Sequence, residues 1–434
     1  MSLPELVRGP GDANPPDMTA PWTLLEGKTE GITPGFVMMD AKGRRYVVKM
    51  DPLTNPELAS AADVIGSKLF HAFGYNAPEN YIVRFTPGHL RITAKSKVED
   101  DLGRERPMTQ FDLNKILAKA PRDKEGVIRA MASLYISGQP IGPFRYHGTR
   151  ADDPNDVVPH EHRRDLRGLF VFAAWLNHND AKSINSGDFL VKDGGVPHIK
   201  HYLIDFGAIL GSDSFEAKTP RAGNVYLFDA GPAAAQFFSL GLYMPKWMRA
   251  DFPDMPAVGN FEADNFDPLT WKNNYPNPAF TNRLPDDGFW AAKIAMAFTD
   301  EQLRAIANTA QFTDPAAAAY IVQTLAARRD KIGRAWFAQV LPLDAFRVEN
   351  GRLAFDDLAV VYNFATPRTY SIAWHVFDNE TGSKTPIPGA ASGPEVPRSQ
   401  APYLAADIHA GDPAKTVTVY LRNAREVVGI DRKW

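Results

Sequence analysis

The stretch from Arg163 to Gly207 constrains the fold more than any other part of the chain. Residues 163–177 (RRDLRGLFVFAAWLN) turn almost wholly apolar in their second half and read as a helix. A polar octapeptide follows, His178-Asn179-Asp180-Ala181-Lys182-Ser183-Ile184-Asn185. Phe189-Leu190-Val191 and Tyr202-Leu203-Ile204 then read as short strands around the turn signal Asp193-Gly194-Gly195, and the second runs directly into Asp205-Phe206-Gly207. A helix that delivers a polar loop and a hairpin that delivers an acid bring two hydrophilic segments to one end of an apolar framework.

The octapeptide and the tripeptide resemble the catalytic loop and Asp-Phe-Gly motif of protein kinases, whose loop reads H-R-D-L-K-x-x-N. Asp180, Lys182, Asn185 and Asp205 match. The resemblance implies transfer of the γ-phosphoryl group of ATP, with Mg²⁺, to a hydroxyl-bearing acceptor. Asn185 and Asp205 would be the metal ligands, Asp180 would orient the acceptor and take its proton, and Lys182 would steady the transferring phosphate. The chemistry suits the spacing, since Mg²⁺ on a triphosphate needs hard oxygen ligands that two chain segments can share. A carboxylate of ordinary pKa is a weak base, so positioning would carry most of the work. A polar loop buried for structural reasons is the competing reading.

What precedes fits a kinase-like N-lobe with an insertion over residues 21–135, after a polar, turn-rich flexible arm over 1–20. Residues 35–40 and 44–50 read as paired strands, 56–73 as a helix, and 82–85 and 90–92 as further strands. Lys49, in Val-Val-Lys, resembles the strand lysine that meets the inner phosphates of the nucleotide; a lysine ending a surface strand is the plain alternative. Its partner acid would be Asp63, mid-helix, or Glu57, in the first turn, where it would instead stabilise the exposed amides. Asp63 is preferred by position although it is one methylene shorter than the Glu of the family. Gly31, Thr33 and Gly35, within Gly27–Gly35, are the candidate phosphate-covering residues, and an ordinary hairpin turn explains them equally well. Their departure from G-x-G-x-x-G points toward an atypical branch. Residues 95–122 read as the insertion and 127–135 as the last strand and hinge.

Residues 136–342 are expected to form an α-rich C-lobe, with helices over 289–298, 300–310 and 314–340. The basic cluster His160, His162, Arg163, Arg164 and Arg167 is expected to be salt-bridged to Asp152, Asp153, Asp156 or Asp165, with phosphate or an acidic substrate as its other use. No Ala-Pro-Glu motif closes the segment after Gly207, and the Pro-, Asn- and aromatic-rich stretch that follows either covers a cleft or packs as a loop. Residues 343–434 carry short strand-like runs, Leu358–Tyr362 among them, and read as an all-β sandwich-like accessory domain.

The expected fold is therefore α+β, a bilobal protein-kinase-like fold with a C-terminal all-β sandwich-like domain. Forty-eight basic against fifty-one acidic residues give a net charge of −3, so no nucleic-acid partner is expected. There is no cysteine, which excludes thiol catalysis and Cys-based zinc sites. No apolar run reaches a membrane span, so a soluble chain is expected, either cytoplasmic or exported after loss of a leader. The functional expectation is an atypical Mg²⁺·ATP-dependent kinase of unknown acceptor, or alternatively a catalytically inactive pseudokinase-like binding or scaffold protein.

Overall fold

The structure, a computed structural model, describes residues 1–28, 34–99, 104–228, 244–389 and 392–434. Alternating side-chain burial builds its first sheet. Trp22–Lys28 (β1), Gly35–Met39 (β2) and Arg45–Met50 (β3) send Trp22, Leu24, Phe36, Met38, Tyr46, Val48 and Met50 into one core, closed by Ile116 and Leu117 of Gln110–Leu117. The other face of β2 and β3 holds Val37, Val47 and Lys49, half-buried. Asn80–Phe85 (β4), Leu90–Arg91 (β5), Lys97–Glu99 (β6), Glu105–Pro107 (β7) and Ile128–Leu134 (β8) complete the sheet in the order β4-β8-β3-β2-β1-β6-β7, with β5 on β1.

The principal helix of this lobe is Leu58–Ala72, buried from Leu58 through Phe70. Small residues (Ala59, Ala61, Ala62, Gly66) allow such close packing. Its start is held by Asp51, whose carboxylate accepts from the Ser60 amide at 2.8 Å and the Ser60 hydroxyl at 2.6 Å. Glu57 does not serve the exposed amides. It sits at φ 71 just outside the helix, and its carboxylate accepts from the Thr313 amide at 2.9 Å.

Residues 1–20, expected as a flexible arm, are instead fastened to this lobe. Leu3–Arg8 is a helix whose last carbonyls accept from Lys68 Nζ, Val7 at 2.5 Å and Arg8 at 3.2 Å. Tyr46 Oη donates to the Asn14 carbonyl at 2.9 Å and Arg44 Nη2 to that of Pro15 at 2.7 Å. The arm's polar composition hid this order because its own backbone supplies the acceptors.

Arg164–Leu176 forms the buried apolar helix expected before the polar loop, ending where Asn177 turns left-handed at φ 53. Ser186–Asp193 and Val196–Leu203 pair as the expected hairpin, with Gln139–Pro140 on its edge. Arg328, fully buried, donates to the carbonyls of Ala174 at 2.7 Å, Trp175 at 2.8 Å and Glu262 at 2.6 Å, which satisfies that helix end. Burial pushes this guanidinium down to about 9. Arg163 is salt-bridged to Asp156, and His160 Nε2 stands 2.8 Å from the same carboxylate, so these two members of the basic cluster meet one acid.

By packing, the chain forms two units, Met1–Asn282 with Ala297–Arg329, and Arg283–Met296 with Asp330–Trp434. The second thus takes in Pro285–Met296, a helix placed by sequence in the α-rich lobe. Its five-stranded antiparallel sheet joins Lys384–Pro386, Ser371–Phe377, Tyr403–His409, Thr416–Arg422 and Glu426–Arg432 in that order. Leu343 and Leu353, from the hairpin Leu343–Glu349 and Arg352–Asp357, share its core with Ile372, Trp374, Ile408 and Val419. The strand expected over Leu358–Tyr362 is instead the short helix Leu358–Val361, because Asp357 caps it, accepting from the Ala359 amide at 3.0 Å. The architecture is α+β: a β-rich lobe with one principal helix and an α-rich part, the order of a bilobal kinase-like fold, and then an antiparallel β domain. No helix among the described residues is long and apolar enough to cross a membrane.

Candidate functional site

Lys49 lies near the end of β3 on the face opposite the sheet's core, and that face meets the segment after the second hairpin strand. Its Nζ is 2.6 Å from Asp205 Oδ1 and 3.6 Å from Asp63 Oδ2. Asp63 Oδ1 accepts from the Phe206 amide at 2.8 Å, so one helical carboxylate holds both the lysine and the Asp-Phe-Gly backbone. Asp63 rather than Glu57 is the acid behind the lysine.

The electrostatics follow from burial. Taking Asp63 out of water pushes its carboxyl up to about 6 against the pull of Lys49. Burial acts on Asp205 in the same sense, but the adjacent ammonium outweighs it and holds that carboxyl below its ordinary value. The Lys49 ammonium is penalised by burial and rescued by Asp63 and Asp205, and ends above its ordinary value. Lys49 and Asp205 are therefore charged at neutral pH. Asp205 is left-handed at φ 62, and a Cβ on Gly207, two residues on, would stand 2.9 Å from Ser214 Oγ and 3.2 Å from Asp63 Oδ2.

The polar loop assembles next to this cluster. Ile204, one residue before Asp205, donates its amide to the Asn185 carbonyl at 3.0 Å. Asn185 Nδ2 donates to Asp180 Oδ2 at 2.8 Å and to the Asp180 carbonyl at 2.9 Å, while Lys182 Nζ pairs with Asp180 Oδ1 at 2.8 Å. Asp180, Lys182 and Asn185 are thus in mutual contact, and Asn185 is tied to the strand that carries Asp205. His178 stays outside the chemistry. It is buried against Phe70 and Phe206, with ring centroids at 5.7 and 6.3 Å, and burial pushes it down to about 4, so it is neutral.

A cavity of about 430 Å³ opens over Lys49 and Asp205, lined also by Gly27, Gly35, Val37 and Val47. Gly35 pairs with Lys49 across β2 and β3, and a Cβ on it would meet the Val48 carbonyl at 2.5 Å. Gly31 and Thr33 lie outside the described residues.

Sequence reasoning missed the groups that hold the loop from behind. Trp271 Nε1 donates to Asn177 Oδ1 at 2.9 Å, Asn273 Nδ2 to the Ala181 carbonyl at 2.9 Å, and the Asn274 amide to the Asn179 carbonyl at 2.7 Å. The Asn-rich run 271–277 was visible in the sequence; its partner was not. Lys218, also missed, is a buried lysine bonded to Asn179 Oδ1.

Comparison with solved structures finds distant likenesses to protein-kinase-like folds. A Golgi casein kinase with Mn/ADP bound matches at a TM-score of 0.36 and 11% identity, over 73% of this chain and 72% of that one. The Helicobacter pylori proinflammatory kinase CtkA matches at 0.35 and 10%, over 73% and 98%. A Rio2 kinase–ADP/Mg²⁺–phosphoaspartate complex from Chaetomium thermophilum matches at 0.24 and 14%, over 65% and 68%. No family model and no curated protein matches the sequence.

Proposed function

We propose that this chain is an atypical kinase-type phosphotransferase that uses Mg²⁺·ATP and a hydroxyl acceptor, with residues 21–135 and 136–342 as its two lobes and 343–434 as an accessory domain. The observation that carries the reading is the convergence of Lys49, Asp63 and Asp205, with the polar loop bonded one residue away from Asp205. A half-buried ammonium between two carboxylates, beside a cavity lined by Val37 and Val47 as well as by Glu26, Glu99 and Glu105, suits a ligand with an apolar end whose negative charge a bound cation would offset.

The donor set fits Mg²⁺. Asp205 and Asn185 offer hard oxygens, and Asp63 Oδ2 is buried without a hydrogen-bond partner, so the site has spare acceptor capacity. No group of three or more His, Asp or Glu side chains that could hold a metal occurs among the described residues, so phosphate and water oxygens would complete the shell. Bound there, Mg²⁺ would supply neutralisation of phosphate charge. Lys49 would engage the inner phosphates, and Val37 and Val47 would cover the base. Asp180 would accept the acceptor's proton while Asn185 Nδ2 fixes its carboxylate, and Lys182 would balance charge on the transferring group. The test is calorimetry with ATP and GTP, each with and without Mg²⁺, followed by transfer of labelled phosphate to a library of hydroxyl acceptors. Metal-dependent ATP binding with transfer supports the reading; binding with no transfer leaves the scaffold alternative, and no binding removes both ATP and Mg²⁺ from the account.

A further inference from the structure

The segment that follows Gly207 is closed on itself. Ser212 bridges Ala217, the Lys218 amide donates to the Gly211 carbonyl at 2.8 Å, and the Asp213 amide to that of Glu216 at 2.8 Å. Gly211 sits at φ 90, where a Cβ would come within 2.4 Å of the Val258 carbonyl. Asn260 clamps the base of the turn, its amide on the Gly211 carbonyl at 3.3 Å and its Nδ2 on the Lys218 carbonyl at 2.6 Å. Ser214, near the tip, lies against Gly207.

Lys218 is 1% exposed. Its ammonium bonds Asn179 Oδ1, and Asp213 Oδ1 stands at 3.5 Å. Asn179 immediately precedes Asp180 and passes the contact on, Nδ2 to Asn274 Oδ1 at 2.7 Å. A buried cation with one neutral oxygen in close contact and one carboxylate at 3.5 Å is a weak device for stability, since desolvation offsets much of what such partners return. Its position beside the loop gives it another use.

We propose that Lys218 is a positioning residue that ties the 211–218 turn to the 178–185 loop, so that the site is assembled at all times without covalent modification. The proposal rests on the phosphotransfer reading and names the regulation of that site. In a switchable segment, ordering waits for a phosphate that pairs with arginine. Here a buried ammonium supplied by the chain itself closes the same kind of gap, and the Ser212 hydroxyl is spent on the turn's own geometry, accepting from the Ser214 amide at 3.1 Å.

Lys218→Met removes the charge and keeps the length. Hydrogen exchange on the full chain reads the tie directly and needs no acceptor. Peptides covering 178–185 and 208–218 should exchange roughly tenfold faster in Lys218→Met, while those of β2, β3 and the C-terminal sheet keep their rates. Asn179→Ala, which removes the other end, should give the same pattern, and the double variant should add little to either. Where Mg²⁺·ATP is turned over, kcat should fall by about tenfold with the nucleotide KM within about threefold, a split that general loss of structure would not produce. Unchanged exchange over 178–185 in the single variants overturns the proposal whatever the turnover. A wild-type chain without turnover, combined with the expected exchange pattern, supports the tie and overturns the phosphotransfer reading alone. If Lys218→Met fails to fold, Asn179→Ala decides by the same comparison.

Discussion

Replacing Lys49 by Met should cost stability in a way that grows with pH. The ammonium stands 2.6 Å from Asp205 and 3.6 Å from Asp63, so without it two carboxylates face each other across at most about 6 Å. At an effective dielectric constant of about 20 their repulsion is roughly 3 kcal/mol, equivalent to about two pKa units on the pair. Asp205 keeps 43% of its side-chain exposure, so solvent screening brings the expected penalty down to about 1–2 kcal/mol. In the variant both carboxyls lie above the unfolded value of 3.8, Asp63 already reaching about 6 with the lysine in place. A carboxylate raised in the folded state contributes its full share of stability below the unfolded value and loses it as pH rises through the folded one. The Asp205 share of the deficit is in place by pH 5, because a carboxyl held below 3.8 contributes its stability above that value, while the Asp63 share develops between pH 5 and pH 8, so the deficit should be larger near pH 8. Thermal unfolding at both values, compared with wild type, measures it, and the gap in Tm is expected to widen by a few degrees from the lower pH to the higher. Magnesium ions without nucleotide should narrow that gap, because a cation held by Asp205 replaces part of the lost charge. An equal deficit at the two pH values would refute the reasoning, since lost packing around the lysine stem does not titrate.

Asp205→Asn should weaken Mg²⁺·ATP binding by about tenfold and metal-free ATP binding by much less, as a charged oxygen ligand is lost while the loop survives; calorimetry with and without Mg²⁺ compares them. Asp180→Asn should leave nucleotide affinity nearly unchanged and lower phosphoryl transfer by roughly 10²-fold, read by labelled transfer once an acceptor is in hand. Gly66→Ala places a methyl 2.5 Å from Phe206 Cβ and 2.7 Å from Ile209 Cδ1. It should cost about 1–3 kcal/mol and weaken nucleotide binding with it, measured by thermal unfolding and calorimetry on one sample.

How far the site was legible depended on the range of the forces that build it. The period-2 pattern of 44–50 was enough to set Lys49 on the face away from the core, and the unbroken order of helix, loop, hairpin and Asp205 was enough to bring Asn185 beside the strand that carries it. Three features had no local trace. The clasp from Trp271, Asn273 and Asn274 acts on the loop across more than ninety residues of chain, and no local pattern pairs that run with the groups it bonds. The arm is ordered by Lys68, Tyr46 and Arg44, each an unremarkable residue of its own element. Asp357 starts a helix in what composition reads as a strand, because Leu358-Ala359-Val360-Val361 is equally apolar in either period over four residues.

The short acid at position 63 shows how one departure from the expected pattern is absorbed. An aspartate reaches about one methylene less than a glutamate, so it can accept from the Phe206 amide only if its helix stands close to the Asp-Phe-Gly segment. Gly66, one turn further on, permits that approach, because any Cβ there would strike Phe206 and Ile209. Phe206 in turn stacks on Phe70 of the same helix, centroids 4.9 Å apart at 14°, which fixes the spacing from the apolar side. The Phe206 amide then falls within 2.8 Å of Asp63 Oδ1, while Oδ2 is 3.6 Å from the lysine. A shorter side chain, a glycine and a stacked aromatic pair therefore act as one device. Changing the glycine or either ring should disturb the lysine without touching it.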